Sequence, residues 1–365
     1  LIGGGFAVSN ATWRWAFYIN LPLAALTAPI FIFLVPKYNP KADVPAMTKL
    51  KQIDWVGAAL NAAVFTLFQI VLTFSGSTWN WDSAGPIALW VVFGVCLILY
   101  GLQQFFSIFT TPETRLFPVQ FLKSRTMLLL YFGTAAAATG LAVGTYYIPL
   151  FFQFTKGDSA IRAAVRLLPF ITLFIFFVML TGASLPAFGR YQLFYIAAGV
   201  LLIIGGSLMH TVDGSTSASA IYGYEVIMAV GAGFAMQTAY SIASVSVKPD
   251  EIQAAIGFIN VAQIGSIAIS LSIAGNIFEN IEFIKLRDSL VGYDFPEEVL
   301  RSALGGAKSA ILETGDEAVR GLALASIVET IQELWILVIV AGAVSLVSGV
   351  FMKRERLNLE VAAAG

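Results

Sequence analysis

Few side chains in the long apolar stretches of this 365-residue chain could do chemistry, and they are carboxylates and amides. Glu225 is the first. A carboxylate held at the middle of a membrane helix costs about 2.5 to 3.5 kcal/mol by insertion scales, and a proton removes that cost, which makes Glu225 the leading proton-binding residue. It lies near one end of its stretch, so a wetted interfacial carboxylate, or one bonded to a neighbouring helix, is weighed ahead of that role. Gln237 follows twelve residues later, about 18 Å along a helix, at or past the middle of the same stretch. Asn260 and Gln263 are three apart and share one helix face. Gln153 and Phe170 stand near the ends of two further stretches. Interhelical hydrogen bonds, worth about 0.6 kcal/mol each, would explain the amides equally well.

Other chemistries are excluded by count. One Cys, Cys96, and one His, His210, rule out a disulfide framework, a Cys/His metal site and the clustered base, nucleophile or metal of a membrane-embedded enzyme. Gly231 and Gly233 form no dinucleotide fingerprint, because no strand precedes them. A net charge of −1, with no basic stripe, removes the electrostatic case for nucleic acid.

The elements that position these residues are membrane helices. Hydrophobic residues make up 58% of the chain and charged ones 12%, about half the charge of a soluble domain. A bilayer crossing needs about 20 apolar residues. Nine stretches qualify, at 15–36, 55–76, 85–109, 127–154, 164–185, 191–210, 220–246, 252–279 and 334–352. Leu1 to Val8 reads as the end of a tenth. Alternate loops put twelve Lys and Arg on one side, from Lys37 to Arg356, against Arg14, Lys156, Arg162 and Arg166 on the other. The richer side, with the carboxy terminus, is therefore expected in the cytoplasm. The segment 280–333 is then the long outer connection, and the helical spacing of apolar residues in 318–334 predicts that part of it lies on the membrane surface. A solvated extracellular helix is the plainer reading, and a regulatory or ligand-capturing role the other.

At its start the chain reads LIGGGFAVSNATWRWAFYINLP. This resembles the major facilitator superfamily, in particular the fourteen-span drug:proton antiporter branch common in fungi. In that branch a Gly-rich motif closes the fifth span and a W-R-W-x-F-Y-I-N-L-P segment opens the sixth. Gly3, Gly4, Gly5, Trp13, Arg14, Trp15, Phe17, Tyr18, Asn20 and Pro22 are the matching positions. The runs Gly157 to Phe170 and Gly223 to Gln237 extend the resemblance. The family's cytoplasmic G-x-x-x-D-R-x-G-R pattern aligns with Gly182, Gly189 and Arg190, but Pro186 and Ala187 replace its Asp and first Arg. A charge latch in this copy would be weakened, and a tight turn with one cytoplasmic Arg accounts for it as well.

The resemblance implies an all-α, polytopic membrane helix bundle, a major facilitator fold lacking its first four spans, in a chain truncated at its amino terminus. Residues 1–36 would close the first half and 37–54 form a cytoplasmic linker. Residues 55–109 would be two inserted central spans, whose Asn61, Gln69, Gln103 and Gln104 are structural. After a cytoplasmic loop at 110–126, residues 127–352 would make the second half, ending in a tail at 353–365. Gln153, Phe170, Gln237, Asn260 and Gln263 would contribute to a substrate cavity. The implied function is proton-coupled efflux of small apolar organic compounds such as drugs or toxins, by alternating access. The protein would be a monomer in the plasma membrane or the vacuolar membrane, with lipid, substrate and protons as partners and no cofactor or metal. Import of siderophores or other organic solutes, and a fragment that does not transport, are the alternatives.

Overall fold

The computed structural model describes residues 14–36, 44–304, 309, 311–312, 316–354 and 356. Gly3, Gly4, Gly5 and Trp13 lie outside the described residues. Among the described residues the regular structure is helical. Helix α1 is Trp15–Tyr18 and α2 is Asn20–Pro29, which runs on into a π-helical turn at Ile30–Leu34. Trp15 meets Tyr18 edge-on at 6.0 Å. Arg14 is exposed beside it. Asn20 opens α2, and Pro22 sits in the first turn, where a missing N–H breaks no intrahelical bond.

The remaining helices are α3 (Ala46–Lys51), α4 (Trp55–Phe74), α5 (Ala84–Phe106), α6 (Arg125–Lys156), α7 (Ala160–Arg166), α8 (Leu168–Phe188), α9 (Gln192–His210), α10 (Ala218–Met236), α11 (Thr238–Ser246), α12 (Ile252–Ser289), α13 (Glu297–Leu304) and α14 (Glu317–Phe351). Among the described residues eight helical segments are long and apolar enough to cross a membrane, and they correspond to the last eight stretches expected from the sequence. The first expected span survives as Asn20–Leu34, about 22 Å long and shorter than the ~30 Å hydrocarbon layer. Helices α4 and α5 pair as a hairpin whose apolar residues face outward, Val91, Val95, Ile98 and Phe105 among them. In lipid that exposure is the low-energy arrangement.

Helices α6, α9, α10, α12 and α14 form the packed centre. Two apolar clusters fill it, one around Tyr147, Phe152, Phe170 and Trp335, the other around Met127, Tyr195, Ile242 and Phe258. Small residues let α9 and α14 touch backbone to backbone. A Cβ on Gly342 would stand 2.8 Å from Ile203 N and 2.9 Å from Gly199 O, and one on Gly199 would stand 2.4 Å from Leu346 N. Such close contact replaces the hydrophobic drive that lipid cannot supply. Gly342→Val is expected to cost about 1 to 3 kcal/mol through overpacking, read as a lowered unfolding midpoint in detergent. Gly94→Val is the control, because nothing lies within 4 Å of that position and the midpoint should hold.

Two expectations are corrected. Residues 280–333 are not mainly loop, and 318–334 is no separate surface helix: α12 continues to Ser289, and α14 is one helix of 35 residues, about 52 Å long. The apolar face of 318–334 finds cover in protein instead of lipid, since Phe283 and Leu286 of α12 bury with Ile327 and Ile331 of α14 in one cluster. Lys285 ties the pair by donating to Glu329 at 3.0 Å and Glu333 at 2.7 Å. The stretch 220–246 stands as one span, with its helix broken at Gln237 between α10 and α11.

In the turn before α10, Asp213 Oδ1 accepts from the backbone N–H of Ser215 and of Thr216, each at 2.9 Å. The hydroxyls of the same two residues join them, and these bonds hold its carboxyl at about 2. Because the carboxyl is held below its ordinary value, the turn keeps this contribution above that range. It is lost only as pH falls through about 2.

Candidate functional site

Helix α6 ends at Gly157, whose φ of +63° turns the chain sharply into α7. That turn sets Asp158 against Arg166. Arg166 Nε donates to Asp158 Oδ2, its Nη2 reaches Asp158 Oδ1 at 3.4 Å, and its Nη1 donates to the Tyr222 hydroxyl at 3.1 Å. The guanidinium also lies over the Phe152 ring, 4.6 Å from its centre. Asp158, Arg162 and Arg166 recur every four residues along one face, and that spacing was a signal open to a sequence reader. Tyr222 was not singled out from the sequence, although it stands three residues, one helical turn, before Glu225.

Glu225 is 0% exposed in α10, and neither of its carboxyl oxygens has a hydrogen-bond partner among the described residues. Ile221, Met228 and Ala229 of the apolar core flank it in sequence. Arg166 is the cation whose charge reaches it, but that guanidinium already serves Asp158 and Tyr222. The carboxyl thus has neither solvent exposure nor a hydrogen bond to a neighbouring helix among the described residues. An unpartnered carboxylate in an apolar core is costly, and taking up a proton is the change that relieves the cost.

A second polar group gathers one helix away. The Tyr240 hydroxyl of α11 donates to Asn260 Oδ1 of α12 at 2.7 Å and lies against the Gln263 side-chain amide. A phenol carries one proton, so Gln263 completes the trio by turning its N–H toward the hydroxyl. Asn260 is exposed and Gln263 half-buried, as a pair on one face would be at the rim of a groove. That groove, about 440 Å³, runs between α4 and α12 and is lined by Asn61, Phe65, Gln69, Asn260 and Ile264. Asn61 and Gln69 therefore line the same groove as Asn260 from its opposite wall, which their reading as structural residues of inserted spans did not anticipate. Tyr240→Phe removes the shared hydroxyl and is expected to lower unfolding stability by about 0.6 to 1.7 kcal/mol, measured by thermal shift in detergent.

The other expected cavity residues separate. Gln237 is exposed at the break between α10 and α11, where helix geometry is interrupted beside Tyr240. Gln153 is half-buried near the end of α6. Phe170 is fully buried and fills the core, with its ring against the Gly144 backbone, so it packs the bundle. Gly182 meets nothing within 4 Å, and Gly189, at φ +63°, ends α8 and leaves Arg190 exposed in the turn.

A buried knot at the foot of the α4–α5 hairpin escaped the sequence reading. Asp54, 4% exposed, caps α4 by accepting from Gly57 N at 2.8 Å. It also accepts from Gln103 Nε2 at 2.9 Å, Gln104 Nε2 at 2.7 Å and Leu116 N at 3.1 Å. Gln104 Oε1 accepts from Phe117 N at 2.7 Å.

Across residues 1–271 the chain matches the sequence model of the Major Facilitator Superfamily. It is 40% identical to the MFS-type transporter pgmG of Aspergillus terreus, over 98% of this chain and 63% of that protein. It is 38% identical to the efflux pump patC of Aspergillus clavatus, over 98% of this chain and 65% of that protein. With the efflux pump alnA of Emericella nidulans it shares 37% identity over its whole length and 66% of the pump's. The chain thus spans less than two thirds of the length of the first two relatives.

Proposed function

The chain belongs to the major facilitator superfamily and is a multi-pass membrane protein, and from that premise we propose that the protein carrying these spans exports small, apolar organic compounds in exchange for protons. Glu225 is the observation that carries the reading. It is a fully buried carboxyl without a hydrogen-bond partner among the described residues, one helical turn from the Tyr222–Arg166–Asp158 network. A proton binds there at low energetic cost, and a change of bundle packing that wets Glu225 releases it. Rocking of one helical bundle against another provides such a change.

Substrate contacts are assigned to the groove between α4 and α12. Its aliphatic and aromatic wall takes greasy compounds, and the amides of Asn61, Gln69 and Asn260 orient them. Gln263 acts behind Asn260 through Tyr240, and Gln237 gives the helix a point of bending. The relatives' printed names, efflux pump among them, support export as the direction. Membership in a transporter family, with no enzyme among the named relatives, argues against the membrane-enzyme reading. The protein acts as a monomer in the plasma membrane, with Lys353, Arg354 and Arg356 on the cytoplasmic side, as the bias of cationic loops supports.

Export is tested in intact cells of a strain stripped of its own pumps. Expression of the gene encoding these spans is expected to lower accumulation of a fluorescent apolar dye several-fold. A protonophore should abolish the difference. Unchanged or raised accumulation would refute the proposal.

A further inference from the structure

The end of the bundle at which α8 turns into α9 holds a pocket of about 310 Å³, walled by Arg190, Gln192, Ile196, Val350 and Arg354. From this geometry we infer that the pocket seats the phosphate headgroup of an anionic phospholipid. Among the described residues no carboxylate lines it and neither guanidinium forms an ion pair, and both guanidiniums are exposed. Two guanidinium forks suit the oxygens of a phosphate, which each can hold bidentately. Helix α9 begins at Gln192, so its positive dipole end stands at the same rim.

The opposite helix end would work against an anion, because α14 finishes here with its carbonyls. That end is covered. Arg125 Nη2 donates to Phe351 O at 2.6 Å and brings a third positive charge to the same region. The position of the pocket distinguishes a lipid from a free phosphate. Ile196 and Val350 form an aliphatic wall, and Leu193, Val347 and Phe351 continue it as exposed apolar surface along α9 and α14. A small soluble anion would leave that surface unused, whereas a phospholipid lays its glycerol and acyl chains along it. Basic pockets between membrane helices bind acidic headgroups on the same principle.

This assignment does not depend on export. The purified full chain is freed of lipid in neutral detergent and titrated with phosphatidylserine or phosphatidylcholine, and bound lipid is counted by native mass spectrometry. Wild-type protein is expected to prefer phosphatidylserine by about tenfold or more, and the preference should shrink as salt rises. In the double variant Arg190→Gln with Arg354→Gln the preference falls to within about twofold of parity, since both charges are gone. The pair Arg190→Lys with Arg354→Lys keeps both charges and retains most of the preference. Arg287→Gln, whose Arg is paired with Asp288 near the far end of α12, leaves it unchanged. The inference is overturned if wild-type protein shows no preference, if the Gln pair keeps it, or if the Lys pair loses it as fully as the Gln pair. Complete displacement of phosphatidylserine by inorganic phosphate also overturns it, because it would make the pocket a small-anion site.

Discussion

Replacing Glu225 by Gln is expected to lower proton-driven export by about tenfold or more while the bundle stays folded, a loss of about 1.4 kcal/mol or more in the coupled step. Gln matches Glu in size but cannot exchange a proton. The site has no partner that would miss the charge: both carboxyl oxygens are buried without a hydrogen bond among the described residues. Stability is therefore expected to be unchanged or raised, because a group that is costly to bury in its charged form has been neutralised for good. This combination separates a proton carrier from a structural residue, whose loss would lower both export and stability. Export of a fluorescent dye by cells expressing the gene, with the melting temperature of the purified variant, checks both halves. Glu225→Asp should restore part of the transport, since it restores the carboxyl. Full export by Glu225→Gln would place proton binding elsewhere.

Asp54→Ala carries the largest expected effect on stability, about 3 kcal/mol or more. The carboxylate accepts four hydrogen bonds, from Gly57 N, Gln103 Nε2, Gln104 Nε2 and Leu116 N. Bonds to a charged acceptor are worth about 1.5 to 3 kcal/mol each, and truncation leaves their donors short of a partner in a buried place. Only part of that sum appears, because Gln103 Nε2 keeps a second acceptor in Ile108 O at 3.0 Å. Asp54→Asn keeps the shape and should cost less than half as much. Equilibrium unfolding in detergent measures the difference. Limited proteolysis locates it, since the segment 107–117 is tied to the hairpin through Leu116 N and Phe117 N and should be cut sooner in the Ala variant. Equal stability of the Ala variant and wild type would show that the knot is incidental to the hairpin.

Eight of the nine expected spans, their order and most of their limits were legible in the sequence. The energy of placing a helix in lipid sums side chain by side chain along about 20 residues, and it hardly depends on what lies beside the helix. Family membership was legible for a similar reason, since Arg14, Trp15, Asn20 and Pro22 stand in a local run. Partnership was not legible, because it depends on residues far apart in the chain. Glu225 looked like a wetted carboxylate, yet in the packed bundle it is fully buried. Asp54 drew no notice in the sequence, because Gln103 and Gln104, which come to rest on it, stand about fifty positions later. The apolar stripe of 318–334 was correctly read as a helix, yet its cover proved to be α12 and not lipid. One-dimensional hydropathy decides what must leave water. Which groups then meet is set by helix crossing and close backbone contact, such as that of Gly199 with Gly342, and only the tertiary structure contains it.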